Sequence, residues 1–388
     1  MWAYISFCAL YRMSTGALLL VVGWSLATGR SNNAESLALA TFVSFIPAPI
    51  VPVLYRWLPR RFAGRPTAVA CFAALPVLTW LSAACLQGRT ALIGLVFCLW
   101  LGFFLLEPLL EAWFTELAQG LAADRINRFS ALSMTINQCC LMVGPVIAYA
   151  VVSRIGATSF VQVLAGLFAA MALVALAIMP RLEHEARPAV NAAGERTSRQ
   201  SLLPLALIWP VLGTFNFMVP VYFSTQAGGN MAQAGIVDGA MGIGMAVAGF
   251  ISLNGFLALE KWRNGLSMLW VGLGAVVWWA SAGRTVGHAL AAAMLGCGFG
   301  AMRIGCRSYL ASHFSAQEVA GLVSKANALS LLVLLASLMV CKIDFAWSWA
   351  MPFVLSASLV LAASLLLVER RGGVPSARTL ESATSSSS

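Results

Sequence analysis

Charge is scarce in this sequence: 10% of its 388 residues are Asp, Glu, Lys or Arg, where an ordinary soluble domain carries roughly a quarter. With 60% hydrophobic residues, no soluble fold could hide the apolar surface. Histidine is scarcer still. His184, His288 and His313 are the full set. They fall in or beside predicted loops and far apart, so neither a Ser-His-Asp arrangement nor a metal-ligand cluster can be assembled from them. That argues against an enzyme and against a bound metal. No GxxxxGK[ST] loop occurs, which removes ATP as a direct energy source. Nine cysteines are present, but nearly all fall inside apolar runs without metal-ligand spacing and read as small core residues. Lys and Arg outnumber Asp and Glu by 24 to 14. Because they are scattered among short loops rather than gathered on one amphipathic face, nucleic acid is excluded as a partner.

Apolar runs are what the sequence has in abundance. Stretches of roughly 20 residues recur along its length, each able to cross a hydrocarbon core of about 30 Å. In lipid they must be helical, because backbone amides find no water there. The pattern predicts an all-α membrane protein with twelve transmembrane helices, at about residues 4–27, 37–57, 67–86, 90–113, 129–152, 159–180, 202–223, 234–257, 265–283, 286–310, 320–341 and 347–368. The first run is too long for a signal-peptide core and has no obvious cleavage site, so it reads as a retained span. With the N-terminus inside, sixteen Lys and Arg fall in inner loops and the tail, among them Arg60, Arg61, Arg65, Arg125, Arg128 and Lys325, against five in outer loops. That bias places both termini in the cytoplasm. The Ala-, Leu- and Arg-rich composition points to a bacterial multi-pass protein of the cell inner (cytoplasmic) membrane.

The longest polar stretch, RLEHEARPAVNAAGERTSRQS, divides the chain into a six-helix bundle at 1–180, a cytoplasmic linker at 181–201 and a second six-helix bundle at 202–368. The low-complexity tail at 369–388 is expected to be disordered. The two bundles share a pattern: Gly102-Phe103, Glu107, Glu111 and Trp113 lie 196 residues before Gly298-Phe299, Arg303, Arg307 and Tyr309, as repeat-built transporters would show.

Charges at membrane depth are costly, roughly 2.5 to 3.5 kcal/mol each on insertion scales, so Arg12, Glu107, Glu111, Arg303 and Arg307 attract the most interest. From a centre at Gly102, Glu107 lies about 7 Å and Glu111 about 13 Å toward the cytoplasm. The four-residue spacing puts both carboxylates on one helix face, and likewise both arginines. Pro108 should bend span four beside Glu107. Asp238, near the outer end of a Gly-rich span, is a further candidate proton carrier, with a helix-start carboxylate as the plainer account. Tryptophans divide between span ends, as interfacial anchors, and span interiors, where most should pack or face lipid.

Twelve spans arranged as six plus six, with a cytoplasmic linker and termini, resemble the major facilitator superfamily. Span five carries a sharper likeness to the glycine-rich motif of the family's exporters, at Ala131, Cys140, Gly144-Pro145 and Ala148-Tyr149. The Gly-Pro is intact and the other positions except the last are small, which favours close helix packing, while Pro145 should bend the span. The family's loop between spans two and three survives only as Arg60, Arg61, Gly64 and Arg65, which marks a divergent member and can also be simple positive-inside anchoring.

The resemblance implies that spans one, four, seven and ten line a central cavity and that four and ten meet when the cytoplasmic side is shut. Glu107 or Glu111 paired with Arg303, Arg307 or Arg12 would then form a gate, and protonation of the glutamate would couple it to a proton gradient. A static ion-pair cluster is the competing account. Arg303 and Arg307, with Tyr309 and Trp113, could instead bind an oxyanion of the substrate. The implied activity is proton-coupled efflux of a drug-like molecule or siderophore by a monomer with no cofactor. Its partners would be a small-molecule substrate and the lipid bilayer. Import of a small organic anion is the alternative, and a non-transporting receptor, assembly factor or flippase is the alternative of another class.

Overall fold

The computed structural model describes residues 1–28, 39, 42–57, 65–119, 121–179, 205–208, 210–213, 215, 219, 222–223, 231–253, 263–281, 284–340 and 357. The predicted linker, span twelve apart from residue 357, the tail, and Arg60, Arg61 and Gly64 of the basic loop lie outside them.

All regular structure among the described residues is helical. The helices include α1 (Trp2–Thr28), α2 (Pro47–Trp57), α3 (Arg65–Ala84), α4 (Arg89–Ala118), α5 (Ala123–Ile155), α6 (Ala157–Ile178), α7 (Met231–Leu253), α8 (Arg263–Ala280), α9 (Thr285–His313) and α10 (Ala316–Val340). Seven of the described helices are long and apolar enough to cross a bilayer. Their outer faces carry large apolar side chains such as Leu173, Ile243 and Phe250, each more than 60% exposed, as surfaces bathed in lipid would.

Several helices outrun the apolar stretches that announced them. α4 continues to Ala118 and α5 begins at Ala123, because hydropathy registers only the part in hydrocarbon while helical hydrogen bonds continue through polar residues such as Glu116, Arg125 and Arg128. Lys325, counted from sequence among the inner-loop cations, instead sits well inside α10 on an exposed face. A long aliphatic stem lets such an ammonium reach toward the headgroups. α10 starts where Ser315 and Glu318 cap each other: Ser315 N–H donates to Glu318 Oε2 at 2.8 Å, and Glu318 N–H donates to Ser315 Oγ at 3.4 Å. This S-x-x-E signature satisfies amides that the first turn leaves free.

α1 packs along α5, α3 against α4 and α6, α7 against α9, and α8 against α9. Helices from the two ends of the chain meet where α5 packs against α7 and α9, where α9 touches α4, and where α10 packs against α2 and α4. The α1–α5 contact explains the Gly-Pro of span five. A Cβ built on Gly144 would lie 2.2 Å from the carbonyl oxygen of Met13, and one on Gly16 would lie 1.9 Å from that of Leu141. Two backbones therefore touch where neither residue has a side chain. Ala131 and Ala148 are buried, Cys140 is half-buried, and α5 runs on through Pro145.

Candidate functional site

Three helices carry five ionisable side chains from the apolar spans to one place. α1 supplies Arg12, α4 supplies Glu107 and Glu111, and α9 supplies Arg303 and Arg307. Arg12 Nη2 lies 3.2 Å from Glu107 Oε1, and Arg303 Nη2 lies 2.5 Å from the same oxygen. Arg303 Nη2 stands 3.8 Å from Glu111 Oε1, while Arg307 Nε is 2.7 Å from Glu111 Oε2. That last contact is close, but the N–H is not directed at the oxygen, and Nε makes no hydrogen bond among the described residues. Glu107, Arg303 and Arg307 are buried. Removing such charges from water costs several kcal/mol per ion, so each is tolerated only because an opposite charge faces it.

The remaining donors of Arg307 are fixed by neutral groups. Its Nη1 donates to Ser133 Oγ at 2.8 Å, its Nη2 donates to the Tyr4 hydroxyl, and its guanidinium carbon sits 3.7 Å from the centre of the Phe114 ring. Tyr4 in turn donates to the carbonyl of Leu110 at 3.2 Å, so one hydroxyl ties α1, α4 and α9 together. On the flank, Ser130 Oγ donates to the Ile304 carbonyl at 3.2 Å, and Ser308 Oγ donates to Asn127 Oδ1.

Three guanidiniums therefore face two carboxylates. Beside them is a cavity of about 30 Å³ bordered by Glu111, Arg303, Cys306 and Arg307, with Leu205, Ile208, Leu310 and Val323 as apolar walls. It is large enough for a water-sized group.

The other residues singled out from sequence lie elsewhere. Trp113 is buried against Tyr4 and Phe7, with ring centres 4.9 and 5.8 Å apart. Tyr309 stacks on His313 at 4.3 Å near the end of α9. Neither borders the cavity beside the arginines. Asp238 stands in α7, partly buried, and no described residue pairs with it. His288 lies next to a loop as expected, and the structure adds that it is buried. α9 begins at Thr285, so His288 is already helical and is buried, with Nε2 2.9 Å from the Tyr222 hydroxyl and its ring 4.5 Å from that of Trp278.

Sequence reading missed Tyr4, Phe114, Ser133 and Gly16. A signal existed for two of them: Tyr4, Cys8 and Arg12 follow one another at four-residue intervals, and Ser130, Ser133 and Asn137 form a polar line along span five. Both spacings put the residues on one helix face.

No protein-family model matches the chain, and no curated protein matches it either. Among solved structures, the crystal structure of the human organic anion transporter MFSD10 (TETRAN) is similar with a TM-score of 0.67 at 13% sequence identity, covering 93% of this chain and 99% of that one.

Proposed function

The chain has the fold of a major facilitator superfamily transporter, and on that premise we propose that it is a secondary active transporter whose charge cluster latches one side of the bundle. The observation that carries this reading is the pairing of Glu107 with Arg303 and of Glu111 with Arg307. Each pair joins a helix of the first half of the chain to a helix of the second. Two halves that move against each other in alternating access must break these contacts to open that side. Protonation of Glu107 would remove the charge that Arg12 and Arg303 both grip, so a proton gradient can bias the two states. We read the protein as a monomer with twelve spans, two six-helix bundles and both termini in the cytoplasm, set in the cell inner membrane. The latch then closes the cytoplasmic side.

Proton-coupled efflux of an organic molecule, drug-like or siderophore, is the direction favoured by the Gly-Pro of α5. An anionic cargo is a second reading, supported by the excess of guanidinium over carboxylate in the cluster. The structurally similar MFSD10 is an organic anion transporter.

The test is flux in reconstituted vesicles under an imposed pH gradient, with ethidium and fluorescein as cationic and anionic probes. The wild type should move one of them, and Glu107→Gln should lose the gradient-driven component while keeping exchange. Full gradient-driven flux in Glu107→Gln would remove the coupling role. A receptor or assembly factor would show no gradient-dependent flux of either dye.

A further inference from the structure

We propose that the edge of Arg307 facing Glu111 is the seat of a cargo carboxylate, and that Glu111 is the counterion which that carboxylate displaces. The inference rests on the latch reading and deepens it by giving the two glutamates different tasks. Glu107 is gripped from two sides through one oxygen, by Arg12 at 3.2 Å and Arg303 at 2.5 Å. Glu111 is held less well. Arg303 stands at 3.8 Å, beyond hydrogen-bond reach, and the Arg307 Nε–H at 2.7 Å is not aimed at it.

Arg307 does not depend on Glu111 for its position. Ser133, Tyr4 and Phe114 hold its guanidinium from three other helices. Once Glu111 turns away, what remains is a fixed positive charge with an unused, buried N–H donor at the border of the cavity of about 30 Å³. A rigid guanidinium edge suits a carboxylate. The cavity admits the head group alone, so its apolar walls, Leu205, Ile208, Leu310 and Val323, must part for whatever follows it.

Charge selects the class of ligand. With Glu111 gone from the pairing, one carboxylate restores the negative charge that the glutamate supplied, whereas a neutral amide of the same shape leaves the buried guanidinium without a counterion. The cargo is therefore a small monocarboxylate with an apolar body.

The experiment uses the full-length protein in detergent, titrated by calorimetry with benzoate, with benzamide as the neutral match in shape and chloride as the inorganic anion. Wild type should bind benzoate and not benzamide. Glu111→Gln, which removes the competing charge and keeps the side-chain shape, should bind benzoate about tenfold more tightly, and Arg307→Gln should not bind it. A gain of affinity in Glu111→Gln cannot come from misfolding. Equal binding of benzamide, an unchanged or weaker benzoate affinity in Glu111→Gln, or chloride binding as well as benzoate would each overturn the proposal. Benzoate indifferent to Glu111 would remove this inference and leave the latch standing. Gradient-driven flux that survives in Glu107→Gln would remove the coupled latch, whatever benzoate does.

Discussion

Glu107 and Arg303 stand 196 residues apart, and their side chains meet at 2.5 Å. The same interval carries Gly102-Phe103 onto Gly298-Phe299 and Glu111 onto Arg307, and the second pair meets at 2.7 Å. Residues at matching positions of a repeat meet only near the axis that relates the repeats. An acid on one copy and a base on the other convert that proximity into attraction.

The first prediction concerns the strength of this coupling. Arg303→Gln leaves Glu107 with Arg12 alone, and removing one partner of a buried pair costs about 3 to 5 kcal/mol. The double variant Glu107→Gln with Arg303→Gln should lose clearly less than the sum of the two single variants, measured as unfolding midpoints in detergent. Strict additivity would mean that the two side chains do not support each other.

Tyr4 carries the second. Tyr4→Phe removes the acceptor for Arg307 and the donor to Leu110 while keeping the ring, so a loss of about 1 to 3 kcal/mol is expected. In an Arg307→Gln background the loss should be clearly smaller, because one of the two hydrogen bonds is already gone. A penalty of the same size in both backgrounds would show that the hydroxyl acts independently of Arg307.

The third tests the backbone contact between α1 and α5. Gly144→Ala places a methyl group 2.2 Å from the Met13 carbonyl oxygen. Backbone cannot swing aside as a side chain can, so the helices must part, with a destabilisation of at least about 1 to 3 kcal/mol. Gly166→Ala on α6 is the control, since nothing lies within 4 Å of a Cβ there. Yield of monodisperse protein and unfolding midpoint should fall for the first variant and hold for the second.

Much of this was legible in the chain itself. The helical class follows from run length, and the shared helix faces of Glu107 with Glu111 and of Arg303 with Arg307 follow from four-residue spacing, which are local quantities. Partner choice was not legible. From sequence, Glu107 could pair with Arg303, Arg307 or Arg12; in the structure it takes Arg12 and Arg303, and Arg307 goes to Glu111. The burial of His288 was not legible either, because a hydropathy window sees a polar residue near a span end, while the burial depends on Tyr222 and on Trp278 of α8, both remote in sequence.

Sequence alone determined that the chain is helical and built for lipid, because apolar runs of that length leave backbone amides no alternative to helical hydrogen bonds. It also determined which faces carry charge, through spacings of four residues. Tertiary structure alone decided which charges meet. That depends on how far each helix is rotated and how closely it approaches its neighbour, and both are set by remote contacts such as Gly16 and Gly144 between α1 and α5.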